Sequence, residues 1–127
     1  MSGPSMQLRV EGLEEVMKKL QGISLRIRKA LLADARNVSK QMEKWAKENA
    51  KWTDRTGLAR ANLKAHVSFD NTNTLLMTLA HHMYYGVFLE LCNAGKYAIL
   101  EDAIQRYAPE LIDDLHHIIA EVVNSYD

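Results

Sequence analysis

The chain has 127 residues, of which 47% are hydrophobic and 25% charged. Those are the proportions of an ordinary soluble globular protein with room for one modest core, and a single cysteine, Cys92, excludes an intramolecular disulfide and gives no metal-cluster spacing. Net charge is zero, yet residues 1–64 carry 14 Lys or Arg against 7 Asp or Glu, and residues 65–127 carry 2 against 9. Three readings fit that asymmetry: a nucleic-acid face on the first half, packing of the basic half of one copy on the acidic half of the next, or plain solvated surface. No run of the chain nears the roughly 20 apolar residues that a membrane span needs.

In chain order, Met1-Ser2-Gly3-Pro4-Ser5-Met6 is small and polar and reads as a flexible leader to a single domain over 1–127. Gln7-Leu8-Arg9-Val10 alternates and meets Gly12, the pattern of a short strand. Leu13, Val16, Met17 and Leu20 then recur at helical spacing up to Gly22. Ser24 is a suitable N-cap for the longest regular pattern, which runs from Leu25 to about Lys51. Its apolar stripe is Leu31, Ala35, Val38, Met42, Trp45 and Asn49, with Arg36, Lys40, Lys44, Lys47 and Lys51 roughly opposite and Glu43 and Glu48 interspersed.

At Lys51-Trp52-Thr53-Asp54-Arg55-Thr56-Gly57-Leu58-Ala59-Arg60 the hydrophobic period changes from helical to two. Asp54 and Thr56 can bond nearby backbone groups and Gly57 can take a positive φ, so the stretch reads as a structural corner. It is not the Asp-Thr-Gly of an aspartic protease: Asp54 is not adjacent to Thr56-Gly57, and no second copy exists to form a dyad. Leu63, Ala65, Val67 and Phe69 alternate with polar residues, and Leu75, Met77 and Leu79 do so again after Asp70-Asn71-Thr72-Asn73. The two runs predict a β-hairpin with a four-residue loop. Tyr84, Val87, Phe88 and Leu91 fit one short apolar helical face. From Tyr97 a last helix carries Leu100, Ala103, Ile104, Tyr107, Leu111, Leu115, Ile118, Ile119 and Val122 on one side and Asp102, Glu110, Asp113, Asp114 and Glu121 on the other. Pro109 should kink or split it. The expected fold is α+β: a long N-terminal helix and a kinked C-terminal helix on a small antiparallel sheet containing the hairpin.

Catalytic chemistry is poorly represented. His81-His82 and His116-His117 are the ligand-like clusters, but sequence neighbours point to different faces and no Cys or carboxylate spacing supports zinc. There is no Gly-rich phosphate loop, nucleophile elbow or His-Glu-x-x-His, and nothing local activates Cys92. The expectation is therefore no enzyme, no catalytic residue, no metal and no cofactor. The basic helix over 26–51, with Trp45 and Trp52, also suits a small nucleic-acid-binding or regulatory protein.

Taken in order, four motifs resemble a family of small structural proteins from long-tailed bacteriophages and prophages, the neck proteins of head–tail joining and tail completion. Val10-Glu11-Gly12-Leu13-Glu14-Glu15-Val16-Met17-Lys18-Lys19-Leu20 is similar to the family's opening Val-x-Gly-Leu pattern. Ala50 to Arg60 is similar to its Ala-Pro-(Val)-Asp-Thr-Gly-x-Leu corner, without the Pro and with Arg55 inserted. Tyr84-Tyr85-Gly86-Val87-Phe88-Leu89-Glu90-Leu91 resembles its Tyr-Ala-x-aromatic-apolar-Glu segment, with Leu91-Cys92 where a Gly is usual. Ile99-Leu100-Glu101-Asp102-Ala103-Ile104 resembles the opening of its last helix, without the usual preceding Pro. The resemblance spans roughly residues 8–124. It implies a non-enzymatic virion protein, assembled in the bacterial host cytoplasm as a homo-oligomeric ring in the neck. Its partners would be a head-closure or connector protein and a tail terminator or tail-tube protein, with packaged DNA crossing the lumen without sequence-specific binding. Arg36, Lys40, Lys44, Lys47, Tyr84, Tyr85 and Phe88 are the candidate assembly interface, at a subunit or neighbouring-ring contact or, for the bases, facing the channel.

Overall fold

A computed structural model of the protein describes residues 3–19, 24–50, 58–71, 73–82 and 98–124. The elements are β1 (Ser5–Val10), α1 (Leu13–Lys19), α2 (Ser24–Asn49), α3 (Leu58–Ala61), β2 (Leu63–Phe69), β3 (Leu75–His81) and α4 (Leu100–Asn124). The architecture is α+β, a three-stranded antiparallel sheet in the order β1-β3-β2 with the two long helices on one face. β1 starts earlier than the sequence pattern indicates: Ser5 and Met6, read as leader, belong to the strand, and the Gly3 N–H donates to the His81 carbonyl at 2.8 Å. Polar Ser5 hides this, since a strand edge needs backbone partners rather than apolar side chains.

Period-two alternation sets the register. Leu8 pairs with Met77 and Val67 pairs with Met77 from the other side, so the inward row Leu8–Met77–Val67 crosses the sheet. Leu63, Leu75, Met77 and Leu79 are fully buried beneath the helices. The outward rows are polar, as in Gln7–Thr78–His66, where the Gln7 amide donates to Thr78 Oγ1 at 3.0 Å. A one-residue slip would expose the whole inward row. The hairpin closes through Asp70 and Thr74, whose backbones bond at 3.0 Å, and the Thr74 N–H also donates to Asp70 Oδ1 at 3.0 Å. Asn73 sits at φ 58°, a left-handed position that Asn tolerates better than most residues. Gly12, at φ 87°, turns the chain from β1 into α1.

α2 lies over β2, and α4 lies over β1 and along α2. Ile27, Leu31, Ala35, Val38, Met42 and Ala46 form the buried stripe of α2. Trp45 is only partly buried and Asn49 is exposed, its side-chain amide donating to the Trp45 carbonyl at 2.9 Å. The stripe therefore ends a turn before its periodicity does. α4 begins at Leu100, three residues later than the pattern suggests, and runs through Pro109 without splitting. Pro109 is exposed, so the carbonyl that loses its bond there can be met by water. On α4 the buried residues are Leu100, Ala103, Ile104, Leu111, Leu115 and Val122. Burial of each large apolar side chain of this set contributes about 1.5–3 kcal/mol.

Candidate assembly interface

The corner residues Asp54, Thr56 and Gly57, and the apolar segment with Tyr84, Tyr85 and Phe88, lie outside the described residues. The basic half of the predicted interface is described in full. Arg36, Lys40 and Lys44 are exposed on α2, and no carboxylate among the described residues lies within ion-pair reach of them. β2 adds exposed Lys64 and His66 beside them. Unpaired like charges on one flank sum to a positive potential that attracts anionic surfaces.

Lys47 behaves differently. Its ammonium lies 3.2 Å from Glu43 Oε2, and the two side chains are only 28% and 26% exposed. The other oxygen of Glu43 accepts the Ala65 N–H of β2 at 2.7 Å. Glu43, which reads in the sequence as an interspersed surface charge, thus pins helix to sheet, and Lys47 holds its carboxylate in place. A second clamp comes from Arg60 in α3. Its Nε donates to the Lys47 carbonyl at 2.9 Å and its Nη2 to the Ala50 carbonyl at 3.1 Å. The Lys47 carbonyl belongs to the last turn of α2 and that of Ala50 lies just past its end, where carbonyls have no partners within the helix, and a cation there also suits the helix dipole. At the other end of α2, the Arg28 guanidinium donates to Asn73 Oδ1 at 2.8 Å and sits 4.9 Å from the Phe69 ring centre. Arg28, Glu43 and Arg60 fasten α2, which carries the basic flank, to its neighbours. Sequence reasoning missed them because each partner is 10 to 45 residues distant.

Between α2 and the free edge of β2 lies a hollow of about 170 Å³ lined by Arg36, Ser39, Lys40, Ala65, His66 and Val67. A larger apolar hollow of about 260 Å³ lies between the β1–α1 turn and α4, with Glu11 and His116 as the only ionisable residues among the described ones that line it.

α4 presents the opposite charge. Glu101, Asp102, Glu110, Asp113 and Glu121 are exposed along it. At the α2–α4 seam, Trp45 meets Tyr107 edge-on at 6.4 Å between ring centres, and Arg106 stacks over Trp45 at 5.1 Å. Asp34 faces the same seam with its Oδ2 buried and unpartnered. Burial, and next the adjoining Asp114, push its carboxyl up to about 6, with Glu110 adding to the effect. The seam thus joins good aromatic packing to a carboxyl that resists ionisation.

His81 is buried and His82 exposed, while His116 and His117 are both exposed. His117 turns to Asp113, 3.6 Å from Oδ2. Among the described residues no three His, Cys, Asp or Glu side chains gather in a way that could hold a metal ion. None of the described helices is long and apolar enough to cross a membrane. Compared with known protein families, with curated proteins and with solved structures, the chain matches none.

Proposed function

We infer that the protein is a non-enzymatic structural component of a bacteriophage or prophage particle. Copies assemble as a ring at the head–tail junction, joining the head connector to the tail and leaving a lumen through which DNA passes. The observation that carries this reading is the placement of opposite charge on two separate surfaces of one subunit. Arg36, Lys40 and Lys44 stand exposed on α2 with no ion-pair partner among the described residues, and five carboxylates stand exposed on α4. Heterologous contacts, which bring different patches of identical subunits together, close into rings when the rotation permits. Complementary potentials then guide encounter and fix register. The order of the four sequence motifs, and their resemblance to neck proteins, supply the virion context.

Electron microscopy tests the reading. Rings of the purified protein at low salt, or label at the neck of virions, support it; label confined to the head shell or the distal tail sinks it. The same unpaired bases also fit a small nucleic-acid-binding or regulatory protein. A gel shift with duplex DNA whose affinity falls steeply with salt favours that alternative, whereas weak binding at every salt concentration favours the ring.

A further inference from the structure

Strand β2 is an edge strand, and its free edge runs along a trough of cations. The Ala65 N–H points away from β3, because it bonds to Glu43 of α2. Backbone groups alternate along a strand, so those of Val67 and Phe69 point the same way. No hydrogen-bond partner among the described residues meets the amides of Val67 and Phe69. Glu43 therefore occupies the place that the carbonyl of a neighbouring strand would take, and no described residue bonds to the Val67 and Phe69 amides on the edge beyond it.

The surroundings define what fits there. A strand laid against this edge would send alternate side chains to opposite faces of the sheet. On the helix side they would meet Arg36, which leaves Lys40 and Lys44 to the contact between copies. On the outer side they would meet the Lys64 cation and the His66 imidazole, which sit at outward positions of β2. Cations at an edge ordinarily guard it against other edges. Here they repel β1 of a second copy, whose outward row carries Arg9. They favour a strand with acidic side chains on both faces. The described helices and loops of this chain hold its acids, and Asp54, Glu90 and Asp127 stand singly in the sequence, so a second copy offers no acidic strand.

We propose that the β2 edge and its flanking bases accept, by strand addition, a short extended segment with acidic side chains on both faces, donated by a different protein. The choice of a neighbouring assembly protein as donor rests on the neck-ring reading; the docking chemistry does not. Backbone hydrogen bonds to Val67 supply the register, and the cations select the charge.

The probe is the peptide acetyl-Thr-Glu-Glu-Val-Glu-Glu-Thr-amide, titrated into the full chain and followed by the Val67 and Phe69 amide resonances and by calorimetry. Binding should shift both amides. It should weaken at least about tenfold when the peptide amides facing β2 are N-methylated, and again in an Arg36→Glu, Lys64→Glu variant with an unchanged melting temperature. A peptide with Lys in place of Glu should not bind. Absence of binding overturns the proposal, and so does equal binding of the N-methylated peptide, which would mean charge attraction alone. Peptide binding without rings or neck label would leave the docking site standing and remove the neck-ring reading. Rings without peptide binding would do the reverse.

Discussion

Helices α2 and α4 are nearly equal in length and lie side by side on one sheet, with like inner faces and opposite outer ones. Inward, Leu31, Val38 and Met42 of α2 match Leu111 and Leu115 of α4 in size and burial. Outward, α2 carries Arg36, Lys40 and Lys44, and α4 carries Glu110, Asp113 and Glu121. Burial needs only the inner stripes, so outer charge contributes little to folding and is available for association. The two helices are also fastened differently. α2 is tied to the sheet side by Arg28, Glu43 and Arg60, through bonds that depend on geometry. α4 meets α2 through apolar and aromatic contact, with one misplaced carboxyl, Asp34, in the seam.

The inner-face half of that comparison predicts the largest effect. Leu111→Ala should cost about 2–5 kcal/mol, because the cavity it leaves lies between α4 and a fully packed layer. Urea denaturation with an unchanged m-value checks this; a loss below about 1 kcal/mol would mean the α4 stripe collapses freely around the gap. Next comes the fastening of α2. Arg60→Ala removes the two charge-assisted bonds to the Lys47 and Ala50 carbonyls and should cost about 1.5–3 kcal/mol. Hydrogen exchange should then rise first in the last turn of α2. Uniform loosening of both helices would show that the clamp is not local.

The α2–α4 seam predicts a smaller, pH-dependent effect. The Asp34 carboxyl is held at about 6 against an ordinary 3.8. Its folded-state value is the higher one, so its favourable contribution is complete below about pH 3.8 and is lost as pH rises through about 6. Asp34→Asn should remove that decline and leave the protein more stable at pH 7 than the parent. Melting temperatures across pH 4–8 that remain parallel for the two proteins would place Asp34 outside the seam's energetics. Smallest of all, Lys40→Glu with Lys44→Glu should change monomer stability by no more than about 0.5 kcal/mol, since both are exposed and neither has an ion-pair partner among the described residues.

Much of the inner architecture was legible in the sequence, because burial imposes a period. Leu63, Val67, Leu75, Met77 and Leu79 stand out by alternation alone and are buried. So do Leu31, Ala35, Val38 and Met42 by steps of three and four, and they too are buried. Period failed where an element outruns its neighbour: Asn49 continues the stripe in phase but lies beyond the packed layer. At Pro109 the period held on both sides and the helix is not split, because an exposed position leaves the cost of a missing N–H to water rather than to the helix. The basic flank was legible as composition, but not its division into free and engaged members. Lys47 differs from Lys40 and Lys44 only because Glu43 lies a turn before it and is itself held by Ala65, 22 residues on. Arg60 stands at the end of the corner motif, but its clamping role was not legible, since nothing in the order of residues says that a helix end will fold back onto it.

The central claim is that opposite outer faces of α2 and α4 join one copy to the next. A charge-swap mixture tests it most directly. One variant carries Lys40→Glu and Lys44→Glu, so that both its faces are acidic. The other carries Glu110→Lys and Asp113→Lys, so that both are basic. Each alone should remain unassembled in light scattering and electron microscopy at low salt, where the parent is expected to form rings, and an equimolar mixture should restore rings. Rings from either variant alone, or a mixture that stays dispersed beside an assembling parent, would contradict the account.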